Sequence, residues 1–563
     1  MIEPTSYKMR RTHKRVCVFD CETDPFKAGR PVAPFTCGFY DGETYIDFWG
    51  DDCIAQFFAH LEANYAPDDL LIYAHNGGKF DFFFCLEYMD TGQFPTIING
   101  RLTKLTLRGF EFRDSFAIVP VALSSYHKDE INYAWFERER RERHRVAIRK
   151  YQKADCIYLH DLVAGFHEMF GDKLTIGSTS LPTLKSFHGF ETLSERDDGF
   201  LRQFYFGGRV QAFELGELRG AFKVYDANSM YPFAMANFKH PVSREYLVRR
   251  DLSERATFAK IDARNYGALP ARAPDGSLSF DVERGTFFAT MHEIQAGLET
   301  RTLEVERVHF SLQFQHIVSF TEFVETYFAK RAEAKASGDK LRDLFYKLIL
   351  NSSYGKFAQD PSKYTDHAIT LEGIPADDRG LWSEVENPKG WKLDAIHNGR
   401  VKFWKADAAN PARAYKNVAT AASITGASRA TMLRALAAST RPLYCDTDSV
   451  ICEAFAGDIG NRLGQWKLEA EGDRVAIGGK KIYAVFAGHD EVKSACKGAD
   501  LDAEDVARIA RGEVIEWASP VPNFKRDAAG GKNFGRQEFV SRKIRATGKP
   551  QRLGNRHVAR LNA

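Results

Sequence analysis

Residues Tyr444 to Val450 read YCDTDSV, two aspartates one residue apart between the apolar pairs Pro442-Leu443 and Val450-Ile451. Flanks of this kind belong to a half-buried strand-turn-strand. Burying unpaired carboxylates costs several kcal/mol, so only two arrangements suit the segment. Either Asp-Thr-Asp is a surface turn, for which its residue types are suited, or the two acids hold a cation. Taken alone, the stretch fits the surface turn better.

The rest of the chain narrows the choice. Its 563 residues have room for three or four domains. Apolar residues at 44% and aromatics at 13% allow both an ample core and stacking surfaces. No apolar run approaches the 18 to 20 residues that cross a bilayer, and the polar, basic start shows no signal-peptide pattern. Nine cysteines contain no Cys-x-x-Cys pair. That argues against zinc and for free thiols in a reducing compartment. From Lys525 onward, eleven Lys/Arg face two acids, a composition suited to a phosphate backbone or to a solvated tail.

Residues up to about 170 alternate strand-like and helical patterns, the mark of an α/β domain. RVCVFDCET is a strand with Val16, Val18, Asp20 and Glu22 on one face. LLIYAHNGGKFDFFF reads as a buried strand, a Gly-Gly turn and an apolar helix. The charged stretch from Phe136 to Phe170 reads as one long helix. AFKVYDANSMYPFAM is a strand that breaks into a helix at Ser229 or Tyr231. Residues 238 to about 320 are mixed, and Thr321 to Gln359 predict a helix hairpin interrupted at 335–339. A polar stretch then runs to about 406, and a helix over about 412–438 leads into YCDTDSV.

Two constellations carry chemistry. In the first, Asp20 and Glu22 share a strand face, Asp81 closes HNGGKFD, and Tyr151 and Asp155 are neighbours at i and i+4 of a helix. Four carboxylates and a tyrosine can hold two dications and a water, the equipment for phosphodiester hydrolysis. Tyr151 would orient the water. In the second, Asp226 sits at a strand end, where ligands collect in open sheets. Lys347, Asn351 and Tyr354 fall at i, i+4 and i+7, one stripe of a helix opposite apolar Leu344, Leu348 and Ile349. Lys335, at the hairpin turn, could reach the same phosphates. With Asp226, the pair Asp446 and Asp448 becomes a three-acid set for two magnesium ions and nucleotidyl transfer.

DANSMYP, KLILNSSYG and YCDTDS, in that order, resemble motifs A, B and C of family B DNA polymerases. FDCET, HNGGKFD and YQKAD resemble the three motifs of that family's 3′–5′ proofreading exonuclease. YFGG (Tyr205 to Gly208) resembles the linker motif that contacts the template strand, and KIY (Lys481 to Tyr483) the motif that holds the primer end. Within the family the chain is most similar to the protein-primed phage polymerases of tectivirus type.

The resemblance implies an α/β multidomain chain: an RNase H-like exonuclease domain and a right hand of palm, fingers and thumb, with two terminal-protein-region insertions. The expected boundaries are 1–175 exonuclease, 176–237 linker and first part of the palm, 238–322 first insertion, 323–361 fingers, 362–406 second insertion, 407–500 palm and 501–563 thumb. Asp20, Glu22, Asp81 and Asp155 would be exonuclease metal ligands, with Tyr151 placing the water and Lys128 stabilising the developing charge. His75, Asn76, Phe80 and Ser115 would hold a frayed single strand. Asp226, Asp446 and Asp448 would be the polymerase acids, with the Ala227 carbonyl as a further metal ligand. Tyr231, Lys335, Lys347, Asn351 and Tyr354 would bind the dNTP, Tyr231 excluding a 2′-hydroxyl. Tyr205, Gly207, Gly208, Lys481 and Tyr483 would contact DNA.

The implied cofactor is Mg²⁺, two ions per active site, with Mn²⁺ as a substitute. The implied partners are a terminal protein, template-primer and single-stranded DNA, and dNTPs, with no membrane, for a monomer or a heterodimer with the terminal protein in the host bacterial cytoplasm. The first insertion would contact the priming protein. The second would close a ring around DNA and support strand displacement. The alternative is a family B enzyme that extends nucleic-acid primers only. Two departures stand out. Asn76 and Asp81 are separated by four residues, which predicts a bulge at Gly77 or Gly78, and Phe116 follows Ser115 where the family has leucine.

Overall fold

A computed structural model describes residues 14–26, 32–90, 92–126, 129–371, 390–409, 416–518 and 541–546. Its N-terminal part is built on a seven-stranded sheet, β1 (Arg15–Thr23), β2 (Pro34–Tyr40), β3 (Tyr45–Trp49), β4 (Leu70–Ala74), β5 (Thr96–Ile98), β6 (Arg101–Leu107) and β7 (Phe110–Asp114), ordered β3-β2-β1-β4-β7-β6-β5. The β1-β4 and β4-β7 pairs are parallel and the others antiparallel. Every residue of β4 is buried, as a central strand covered on both faces requires. Ile72 and Ala74 pack with Phe57 and Phe58 of the helix Cys53–Asn64. Leu71 and Tyr73 pack with Leu159, Leu162 and Phe166 of the helix Arg145–Phe170.

The charged stretch before that helix is not one continuous helix. After a 3₁₀ turn at Tyr133–Phe136, the stretch expected as one helix over 136–170 divides into a short helix at Arg138–Arg141 and the long helix from Arg145. Arg141 and Arg138 reach the buried Asp24 at 3.0 and 3.4 Å, and these ion pairs hold the crowded arginines back against β1 instead of letting the helix run on.

The second large sheet is antiparallel and also seven-stranded, in the order Asp490–Cys496, Ile482–Ala487, Trp466–Gly479, Gly216–Ala227, Ser449–Phe455, Ser439–Asp446, Val210–Ala212. Its strands come from both sides of residues 238–437, which leave from the central strand Gly216–Ala227 and return through Ser439–Asp446. The helix Val418–Ala437 crosses behind it and is buried along nearly its whole length. Its small residues allow that: a Cβ on Gly426 would stand 2.4 Å from Thr290 Cγ2.

Residues 244–318 form a sheet ordered Tyr246–Arg249, Leu303–Phe314, Phe258–Asn265, Arg284–Thr290, backed by the helix Met291–Glu299. The helix hairpin follows as Thr321–Ala336 and Lys340–Ser352, with Gly338 at φ +73° in its turn. A three-stranded sheet, Thr365–Leu371, Val401–Ala409 and Trp391–His397, comes next. Its Ile369, Leu371, Ala395, Val401 and Phe403 belong to the same apolar core as Phe82 and Phe83, and His397 Nε2 donates to the Phe83 carbonyl at 3.0 Å. The helix Ala503–Ala510 packs on Ala476, Ile482, Ala484 and Phe486 of the large antiparallel sheet. Most of the basic C-terminal stretch lies outside the described residues.

Candidate active sites

Asp226 is the penultimate residue of its strand and is the register partner of Ser449, the first residue after the Asp446-Thr447-Asp448 turn. Thr447 occupies the left-handed region at φ +54°, and its N–H donates to the Arg209 carbonyl at 2.6 Å. The Ala227 N–H donates to the Asp448 carbonyl at 2.7 Å. The backbone thereby holds the two acid-bearing segments side by side. Burial raises the Asp226 carboxyl to about 7, with Asp448 and Glu469 adding repulsion. Burial and then Asp446 raise Asp448. Like charges confined in a half-buried space favour a cation.

Asp446 is placed differently from Asp448. Lys481 Nζ lies 2.8 and 2.7 Å from its two carboxylate oxygens. Tyr444 OH donates to the same carboxylate at 3.3 Å and accepts the Lys481 N–H at 2.9 Å. Lys481 stands at φ +61° in the turn between two strands, and the Tyr483 ring packs 4.9 Å from that of Tyr444. Glu469 was not singled out by the sequence. Lys467 pairs with Asp226 in register, and the register shifts between Leu468 and Ala470, so Glu469 is the extra residue of a bulge whose charge reaches Asp226. The bulge breaks the period of two, so no strand pattern in KLEAE marks this residue. Lys493 pairs with Glu469 and offsets part of that charge.

Gly208 brings the YFGG loop over this turn: a Cβ there would stand 2.8 Å from Thr447 Oγ1 and 3.1 Å from Tyr231 OH. Ser229 takes φ +57° just before the helix Met230–Asn237, which points the Tyr231 ring at Tyr354, stacked at 4.3 Å and 22°. Tyr354 is not on the same helix as Lys347 and Asn351. That helix ends at Ser352, and Tyr354 opens a 3₁₀ turn, so the three residues form a stripe that bends into the site. Lys335, Lys347 and Asn351 are exposed, while Leu348 and Ile349 are buried as the opposite stripe.

In the N-terminal domain, Asp20 and Glu22 are half-buried on one face of β1, and Asp81 and Asp155 are buried. Asp81 Oδ1 accepts the Cys21 N–H at 3.2 Å, which ties the helix Asp81–Cys85 to β1. Burial raises the Asp81 carboxyl far above the carboxylate range, and Asp20 adds to it. Burial, followed by the Glu22 charge, raises the Tyr151 phenol. Tyr133 OH lies 3.4 Å from Tyr151 OH. Lys128 lies outside the described residues.

The turn before Asp81 is tight and closely packed. Asn76, not a glycine, carries the positive φ of +60°, and Gly77–Lys79 form a 3₁₀ turn. The glycines are needed for space, since a Cβ on Gly78 would lie 2.1 Å from the Leu102 carbonyl oxygen. Asn76 Oδ1 accepts from Arg101 Nη1 at 2.7 Å, and the same nitrogen donates to Asp114 Oδ2 at 2.6 Å. The Arg101 guanidinium lies 4.3 Å from the centroid of the Phe116 ring. His75 Nδ1 stands 3.0 Å from Ser115 Oγ, and Phe80 is only partly buried. No sequence pattern pointed to Arg101. A cavity of about 1340 Å³ runs from these loops toward the YFGG segment, lined by Arg101, Phe116, Arg202, Tyr205, Lys356 and Lys405 among others.

Among the described residues no three His, Cys, Asp or Glu side chains converge into a ready-made cage. Magnesium does not require one, because it is often held by one or two carboxylates together with substrate phosphates.

Residues 124–442 match the family model described as DNA polymerase type B, organellar and viral. The chain belongs to that family. The polymerase is 42% identical over 579 residues to the DNA-directed DNA polymerase of Enterobacteria phage PRD1, covering 96% of this chain and 100% of the relative. Its fold matches phi29 DNA polymerase complexed with primer-template DNA and incoming nucleotide, with a TM-score of 0.68 at 18% identity over 95% of this chain and 100% of that one. The phi29 polymerase complexed with single-stranded DNA gives a TM-score of 0.67 at 16% identity, covering 94% and 100%. The architecture is therefore a 3′–5′ exonuclease-type domain followed by palm, fingers and thumb. Among the described residues no helix of the polymerase is long and apolar enough to cross a membrane.

Proposed function

We propose that this DNA polymerase replicates a linear phage genome from a terminal-protein primer, in the cytoplasm of its bacterial host, and proofreads with the N-terminal site. The observation that carries the synthetic site is the backbone junction that brings Asp226, near its strand end, beside the Asp446–Asp448 turn, with Asp226 paired to Ser449 and the Ala227 N–H donating to the Asp448 carbonyl at 2.7 Å. These carboxylates fit a divalent cation by charge and by donor type, and the Ala227 carbonyl would be a further ligand. Bound Mg²⁺ or Mn²⁺ would promote ionisation of the attacking hydroxyl and offset charge on the leaving pyrophosphate. Two ions per site are the stoichiometry proposed.

Lys335 and Lys347 would bind the triphosphate, and Asn351 would orient it. The stacked Tyr231 and Tyr354 would close the sugar pocket against a 2′-hydroxyl. Tyr205, Gly207 and Gly208 would hold the template, and Lys481 and Tyr483 the primer end. In the exonuclease domain, Asp20, Glu22, Asp81 and Asp155 would hold dications while Tyr151 orients water, with Lys128 stabilising developing charge. His75, Asn76, Phe80 and Ser115 would grip the frayed strand, and the PRD1 and phi29 likenesses support this assignment. We assign 238–322 and 362–406 as the terminal-protein-region insertions within the boundaries given above. The core shared between the second insertion and the exonuclease domain supports a closed path for DNA and strand displacement.

Purified polymerase given labelled dNTP, Mg²⁺ and its candidate terminal protein tests the priming reading. A covalent protein–nucleotide adduct is expected. Its absence, with primer extension intact, leaves an enzyme that extends nucleic-acid primers only.

A further inference from the structure

Residues 205–209 carry neither helix nor strand, so the shape of this loop depends on what holds its backbone. Three consecutive carbonyls accept from arginines. Arg272 Nη2 donates to the Tyr205 carbonyl at 2.8 Å. Arg429 Nη1 donates to the carbonyls of Phe206 and Gly207 at 2.6 and 2.8 Å. The Phe206 ring centroid lies 5.1 Å from the Arg272 guanidinium and 5.7 Å from that of Arg429.

Arg429 is itself held. Its Nε lies 2.7 Å from Glu293 Oε1, and both side chains are only 1% exposed. The second Glu293 oxygen accepts the Thr290 N–H at 3.2 Å and the Thr290 hydroxyl at 2.8 Å, closing a capping box at the start of the helix Met291–Glu299. A buried arginine whose carboxylate is fixed on both oxygens has little rotational freedom, and it passes that rigidity to the carbonyls it binds. Arg272 and Glu293 both come from the segment 238–322, whereas Arg429 belongs to the palm helix.

We propose that Arg272 and Glu293 are positioning residues for the template strand: the first insertion fixes the Tyr205–Gly208 loop directly through Arg272 and, through Arg429, by Glu293. The inference rests on reading that loop as the template contact. It gives the insertion a part in ordinary elongation, apart from any contact with a priming protein.

The test measures primer-template dissociation constants across a salt series for the wild type and for Tyr205→Ala, Arg272→Met, Arg272→Lys and Glu293→Gln. Single-strand degradation reports that each variant is folded. Arg272→Met alters an exposed side chain, so it remains informative if Glu293→Gln fails to fold. The expected result is about tenfold weaker binding for Arg272→Met and Glu293→Gln, partial recovery with Arg272→Lys, and an unchanged salt slope. Wild-type affinity in Arg272→Met overturns the inference when Tyr205→Ala binds weakly. A salt slope reduced by about one in Arg272→Met also overturns it, by making Arg272 a phosphate contact. Wild-type affinity in Tyr205→Ala instead removes the template reading beneath it.

Discussion

Lys481 Nζ bridges both carboxylate oxygens of Asp446, at 2.8 and 2.7 Å, across the turn that separates two palm strands. The two acids of the Asp-Thr-Asp segment are therefore unequal: Asp446 is neutralised by a lysine, while Asp448 faces Asp226. Lys481→Met should leave Asp446 without its cation and, on the proposed primer contact, should weaken the hold on the primer end. We expect KM for primer-template to rise about tenfold or more, with single-strand degradation unchanged. A fall in kcat at unchanged KM would place Lys481 in the chemical step instead.

Asp226→Asn should separate stability from function. Removing one of two repelling carboxylates should stabilise the metal-free enzyme, by about 1 kcal/mol or more. Synthesis should fall on the order of 10²- to 10³-fold. Denaturant midpoints in EDTA and in Mg²⁺ check the first point, since the advantage of the variant should shrink as Mg²⁺ stabilises the wild type.

Gly208→Ala places a methyl against Thr447 and Tyr231. Primer extension should drop while single-strand degradation persists, because the nearest atoms to the added methyl belong to Thr447 and Tyr231. Equal loss of both activities would point to a global defect.

The buried His240 and the partly exposed His292 flank Ser423 Oγ, at 2.9 and 3.2 Å. Burial lowers His240 to about 3 and His292 to about 4. Unfolded histidines titrate near 6.5, so below that pH the unfolded chain takes up protons that the folded chain refuses. Stability should fall as pH drops from about 6.5 toward 4, by up to about 1.4 kcal/mol per pH unit for each group. Urea unfolding of His292→Asn at pH 7.5 and pH 5 checks this: the variant should lose less on acidification than the wild type.

Much of this was legible in the sequence, for physical reasons. The alternation in RVCVFDCET and AFKVYDANS reveals strands because the period of two is strict, and the helix hairpin follows from its apolar stripe and the Gly338 turn. The spacing of Asp446 and Asp448 announces their turn. What the sequence could not show is pairing between distant segments. Nothing local tells that Lys481 turns toward Asp446, that Arg101 braces Asn76, or that Glu293 supports a loop nearly ninety residues earlier through Arg429. The break of the 136–170 stretch into two helices goes with ion pairs to Asp24, over a hundred residues away.

The most direct test of two independent metal-dependent sites is a paired assay on two folded variants, Asp448→Asn and the double variant Asp20→Ala with Glu22→Ala. Primer extension and 3′ degradation of single strands are measured side by side in Mg²⁺. The first variant should lose synthesis and keep degradation, and the second should do the reverse. Loss of both activities in either variant would contradict the assignment of separate sites.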